Sequence, residues 1–347
     1  MRVPDRLRGP LVALALAAPF AVGLAAHAAG GGDAEVVLTF ADPEILESSG
    51  LVAADGLLLT TNDSGDSGRV FAVGPQGLTV GVTTWADEPT DVEALAPAGP
   101  GQVWVGDIGD NPGSRGSVTV ARVPVGRGAI DARTEAAGET YELVYPGGAR
   151  DAETLLSHPR TGRLYLASKS FFGGALYEAP ARLDPDAPNE LREVGGVLPI
   201  ATDGAFWPDG RHLVVRGYAD AVVYAWPSLA EVGELELPDQ QQGEGIAVTD
   251  DGRVLVSTEG QFTDVLEVPL PADLEDALAP EAEPEPTPDP TPEAAPEQPE
   301  QPEPPDAEPV DRAQDESLRT VPLAWLLGAL TAVVLATLLL ARAVRRR

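Results

Sequence analysis

Between Ala34 and Leu270 the chain alternates short apolar runs with turn-forming residues, and no stretch holds a helical period. One phrase occurs five times: a carboxylate with a small residue, a short apolar run, a turn at Gly or Asp-Gly, then a second apolar run. The copies are ESSGLVAADGLLLTTND, VEALAPAGPGQVWVGD, AETLLSHPRTGRLYLASK, TDGAFWPDGRHLVVRG and GEGIAVTDDGRVLVSTEG. Their leading acids are Glu47, Glu93, Glu153, Asp203 and Glu244, spaced 46, 60, 50 and 41 residues apart.

Two further β-like runs follow each of the first four phrases, such as RVFAVG and LTVGVTTW after the first. Only DVLEVPL follows the fifth, and AEVVLTF, Ala34 to Phe40, stands ahead of the first as the strand that blade lacks. Four antiparallel strands repeated at this period predict an all-β fold, a β-propeller closed by its N-terminal strand. Five blades fit the repeats; a sixth, degenerate blade within 124–150 is the alternative. A β-sandwich of similar strand content does not call for one acid–turn phrase at five places.

The ends read differently. Arg2, Arg6 and Arg8 precede an apolar run and the small-x-small site Ala26-His27-Ala28, so residues 1–28 read as a signal peptide. The propeller is then 29–275. Residues 276–318 are an acidic, proline-rich spacer: Glu281 to Glu316 hold 13 acids, 11 prolines and one arginine, a composition that predicts an extended, disordered segment. No charge occurs from Thr320 to Ala341, enough to cross a bilayer as a helix over 319–342. Arg345, Arg346 and Arg347 in the tail 343–347 put that end in the cytoplasm. The motif Leu-Pro-x-Thr-Gly of a cleaved wall-sorting signal is missing, so the expectation is a single-pass membrane protein with an extracellular ectodomain.

Composition narrows the function. The formal net charge of −32 opposes nucleic-acid binding, and a chain with no cysteine has no disulfide or thiolate metal site. No Gly-x-Ser-x-Gly elbow, HExxH or phosphate loop is present, and His158 and His212 lie in or beside turns at the outer ends of strand pairs, a placement that argues against a Ser-His-Asp triad. Catalysis, if any, would rest on carboxylates or a metal.

The phrases GEGIAVTDDGRVLVSTEG and DAETLLSHPRTGRLYLASK resemble the blade openings of the regucalcin/gluconolactonase-like and esterase-like phytase propellers, over most of residues 34–272. That resemblance implies that Glu47, Glu93, Glu153, Asp203 and Glu244 ring one mouth of the central channel, where those families hold a divalent cation. Two readings stay open: the ring binds a metal or ligand, or its acids accept backbone amides and hold the blades together. Hard oxygen ligands favour Ca2+. The second strands end variably, at Asn62-Asp63, Asp107, Lys169, Arg216 and Glu259, so Lys169 (the only lysine) and Arg216 join the candidate ligand-binding residues. The motif Asp-x-Gly-Asp appears only in TNDSGDSG and GDIGDN, making Asp63, Asp66, Asp107 and Asp110 the candidate metal ligands, with turn-capping as the plainer reading.

The expected function is a cell-surface propeller that binds an extracellular ligand or protein partner; the alternative is a Ca2+-dependent lactonase, esterase or phosphoesterase.

Overall fold

The computed structural model describes residues 34–279, apart from Ser64 and residues 134–138. The expected signal peptide, membrane span and cytoplasmic tail lie outside the described residues, as does all but the first part of the expected spacer. Among the described residues no helix is long and apolar enough to cross a membrane.

Strand β1 (Glu35–Thr39) opens the described chain. Blade one is β2 (Ser48–Ala54), β3 (Leu57–Asn62), β4 (Gly68–Val73) and β5 (Thr79–Ala86). In blade two, β6 (Val92–Pro97), β7 (Gln102–Asp107) and β8 (Val118–Pro124) are followed by β9 (Gly128–Asp131) and β10 (Glu139–Val144). Blade three is β11 (Ala152–Ser157), β12 (Leu164–Ser168), β13 (Gly174–Glu178) and β15 (Arg192–Val197), with β14 (Asn189–Glu190) standing between the last two in the chain but outside that sheet. Blade four is β16 (Asp203–Phe206), β17 (His212–Arg216), β18 (Asp220–Ala225) and β19 (Ala230–Glu236). The last blade consists of β20 (Gly243–Val248), β21 (Val254–Thr258) and β22 (Asp264–Val268), and β1 pairs antiparallel with β22 to complete it. The ring is therefore closed by its N-terminal strand, as the missing fourth run predicts.

Among the described residues there is no sixth blade. Within 124–150, β9 crosses back to pair parallel with β5 of blade one, and β10 is the fourth strand of blade two. β14 likewise pairs parallel with β10, so the two long spacings are absorbed by extra edge strands.

The turn glycine of each phrase has a definite task. Gly56, Gly101, Gly162, Gly210 and Gly252 all have φ between 65° and 86°, the left-handed region where a side chain is disfavoured. The inner strands are almost fully buried, with β11 and β20 each showing five buried residues in succession. Apolar side chains pack between neighbouring blades, as where Phe40 and Ile45 meet Leu51, Phe71 and Leu255 across the closure. After the last strand, α1 (Ala272–Leu278) buries Leu274 beside Gly233 of β19, so ordered structure runs to Leu278, three residues past the boundary expected at 275.

Every inner strand starts at one end of the channel and leaves it at the phrase's glycine turn. The starts of the inner strands and the ends of the second strands therefore share one mouth.

Candidate cation site at the acidic channel mouth

Strand register decides which residues face the channel. Leu51 pairs with Thr60, Leu95 with Val105, Leu155 with Leu166, Ala205 with Val214 and Ile246 with Val256, each partner two residues before the end of its second strand. Two positions upstream stand Ser49, Glu93, Glu153, Asp203 and Glu244. In four blades the inner strand bulges there; only β16 stays regular. All five are buried.

Glu47 is thus not in the ring. The Asp63 amide donates to the Glu47 carbonyl, as the Gly109, Lys169 and Glu259 amides donate to those of Asp91, Asp151 and Gln242. These shared bonds make Glu47 the counterpart of Asp91 and Asp151, one layer further out, and it is exposed. Blade one contributes Ser49 to the inner layer. Matching the phrases by their leading acids hides this, because the acid of blade one stands two residues ahead of the ring position and leaves the apolar run undisturbed.

The ring acids divide by what they bond. Asp203, 0% exposed, accepts the amides of Leu51 (3.3 Å) and Ile246 (2.8 Å) on Oδ2 and of Gly204 (2.8 Å) on Oδ1. It ties blade four to blades one and five. Arg216, also 0% exposed, donates to the carbonyls of Gly217, Gly245 and Ser257 and to Gln240 Oε1. Its guanidinium clamps blade four to blade five and is shut off from the solvent at the mouth.

Glu93, Glu153 and Glu244 have no such amides. Glu93 receives only the Ser49 hydroxyl, 3.2 Å from Oε2. Glu153 is ion-paired through Oε1 with Lys169, while its buried Oε2 has no hydrogen-bond partner among the described residues. A carboxylate oxygen left so is costly unless a proton or cation meets it.

Of the four residues in the Asp-x-Gly-Asp motifs, three serve turns. Asp66 holds Asn62 Nδ2 and Arg69. Asp107 accepts the amides of Thr90 and Asp91 and pairs with Arg115 at 2.8 Å. Asp110 accepts the Ser114 and Arg115 amides. Asp63 instead reaches the mouth, where its carboxylate joins those of Asp91 and Glu93 with ligand oxygens all within 4.8 Å of one another. Gly109 permits this approach: a Cβ there would lie 2.4 Å from Asp91 Oδ2 and 2.8 Å from Glu93 Oε1. Asp91 was not singled out by sequence, although its signal is present. In both D-V-E (91–93) and D-A-E (151–153) an acid sits two residues ahead of the ring acid and points the same way along the strand.

Crowding among these acids shows in their proton affinities. Burial, then the charges of Glu153, Asp63 and Asp91, raises Glu93 to about 11. Burial raises Glu153 to about 8 against the pull of Lys169, and Glu244 to about 7. Asp91 rises to about 6 through burial and the charge of Asp63, and Glu259 to about 7 through burial with Asp63 and Glu47. Such groups take up either protons or a cation. The cluster Asp63–Asp91–Glu93, with Glu153 beside Glu93 in the ring, offers the hard anionic oxygens that Ca2+ selects.

The opposite end of the channel is a separate place. A cavity of about 660 Å3 there is lined by Leu51, Leu95, Leu155, Phe206, His158 and the glycine turns. His158 is fixed against Gly210 O at 3.1 Å and follows β11 at its turn end, whereas Glu153 stands at the mouth end of the same strand.

No protein-family model matches the chain, and no curated protein matches it by sequence. Among solved structures it is similar to a chain in a crystal structure of a nidogen/laminin complex, at 14% identity and a TM-score of 0.43, covering 63% of this chain and 74% of that one. The assignment of a five-bladed propeller rests on the strand pairings above.

Proposed function

We propose that the protein is an exported, membrane-anchored binding module whose propeller seats its ligand at the acidic mouth around a divalent cation, Ca2+. The observation that carries this reading is the convergence of Asp63, Asp91 and Glu93 beside the partnerless Oε2 of Glu153. Asp63, Asp91 and Glu93 would hold the ion, and Glu153 would complete its shell; the ion supplies charge neutralisation and open positions for ligand oxygens. The export and anchoring rest on the apolar N-terminal run and the uncharged stretch from Thr320 to Ala341.

The test is thermal melting of the full-length chain in CaCl2 and in chelator. Saturating Ca2+ should raise Tm by on the order of 5 °C, and Asp91→Asn should abolish the rise. Equal melting curves for the native chain in both buffers would overturn the reading.

A second reading is favoured by the proton affinities of Glu153 and Glu244, about 8 and 7, which suit general acid–base work near neutrality beside a Lewis acid. It predicts Ca2+-dependent turnover of lactone, ester or phosphomonoester substrates that Glu244→Gln removes.

A further inference from the structure

Among the described residues, every strongly exposed aromatic ring lies on the rim of the acidic mouth. Phe171 and Phe172 (83% and 102% exposed) follow β12, Tyr218 follows β17 and Phe262 follows β21, all in turns between second and third strands. Leu46, exposed just before β2, joins them, and Gly260 of the Phe262 turn donates its amide to the Leu46 carbonyl. Phe262 has φ 58°, an uncommon conformation for an aromatic residue that the turn nevertheless maintains. Exposed apolar side chains gathered in one place mark a contact surface.

The rim also shows what it can hold. Lys169 places its ammonium between Glu153 and Tyr218, with Nζ 2.9 Å from the phenolic oxygen and 5.2 Å from the ring centroid. A basic group is thereby seated between a ring carboxylate and a rim aromatic. Blade five repeats the surroundings without a direct ion pair of its own. Glu244 and Glu259 stand beside the Phe262 turn, Glu259 is bonded to Gln242 Nε2 at 2.6 Å, and neither acid is ion-paired among the described residues. Blades three to five thus carry the exposed rings of the rim, and in blade five these stand beside two acids without an ion pair among the described residues, whereas blades one and two present the cluster of Asp63, Asp91 and Glu93.

We propose that the rim of blades three to five is a docking surface for a protein partner that inserts a Lys or Arg side chain between Glu244, Glu259 and Phe262, its apolar neighbours covering Phe171 and Phe172. Charge complementarity selects this occupant over an anionic membrane surface, which the acids would repel. The inference goes beyond the cation site and uses different residues, so either can fail alone.

A displayed library of random heptapeptides can be panned on the full-length chain, and enriched sequences resynthesised for affinity measurement. The expected peptides carry Lys or Arg next to an apolar residue. They should bind about tenfold more weakly to Phe171→Ser/Phe172→Ser and to Glu259→Gln, the size expected when an interface anchor is lost, and with unchanged affinity to Leu78→Ser, an exposed residue of the turn between β4 and β5. Because Phe171 and Phe172 are exposed, their double variant should melt with the native chain, which separates lost contact from lost fold. Enriched peptides without a basic residue, or equal binding to the rim variants, would overturn the proposal. So would binding of phosphatidylcholine vesicles through the Phe pair in competition with the peptides.

Discussion

The Ser49 hydroxyl donates to the Glu93 carbonyl at 2.9 Å and lies 3.2 Å from Glu93 Oε2, joining blade one to blade two inside the ring of acids. A serine at this register position leaves the ring with four carboxylates and gives Glu93 a hydroxyl donor. Ser49→Ala should therefore destabilise the chain by about 1 kcal/mol in urea unfolding, the net worth of a buried hydrogen bond. Ser49→Glu places a fifth acid against Glu93 and should cost more in chelator, with added Ca2+ restoring part of the loss.

Gly109 approaches the acid cluster more closely than any side-chain-bearing residue could. Gly109→Ala puts a methyl group against Asp91 Oδ2 and Glu93 Oε1, at 2.4 and 2.8 Å before relaxation. Calorimetric titration should show Ca2+ binding weakened by about tenfold or more, since 1.4 kcal/mol of displaced ligand oxygen is enough for that.

The pH dependence follows from acids whose proton affinity rises on folding. Glu244 and Glu259 go from 4.5 to about 7, Glu153 from 4.5 to about 8 and Asp91 from 3.8 to about 6. The folded chain then binds more protons than the unfolded one. The stabilisation is complete below about pH 4 and is lost as pH rises through about 6 to 8. In chelator, Tm should fall between pH 5 and pH 8, within the range those shifts define. Saturating Ca2+ should flatten the profile, because the ion replaces the protons; a Tm that climbs with pH in chelator would contradict the arrangement.

Arg216 and Asp203 are expected to act on the fold and leave the ligand alone. Arg216→Ala leaves the Gly245 and Ser257 carbonyls without their donor and should destabilise by about 3–5 kcal/mol. Asp203→Ala strips the Leu51 and Ile246 amides of their shared acceptor and should lower Tm by a comparable step. In Asp203→Asn one amide oxygen remains to accept, so its loss should be smaller.

The five acid–turn phrases favoured five blades over six and sufficed for the strand order within each blade and the closure by Ala34–Phe40. Blade architecture is local: alternation along each run and a glycine at each turn do not depend on which blades are neighbours. The same locality misled at Glu47, where the phrase ESSG offers an acid in the right place on paper. Register sets Ser49 at the ring position, two residues after Glu47, and a two-residue shift keeps the same faces pointing inward, so the apolar pattern carries no trace of it. The span 124–150 looked long enough for another blade because edge strands of four residues or fewer, such as β9, have too little alternation to be told from loops.

Acids near the mouth were legible as a type, since repeated carboxylates at strand starts converge in any propeller. Which of them bind amides, which meet Lys169 and which stand together was settled only by tertiary structure. Asp63, Asp91 and Glu93 belong to two blades, and Asp203 reaches its amide donors in two others. Such groupings depend on blade-to-blade packing and on the absence of a side chain at Gly109, distances fixed across the ring and invisible along the chain.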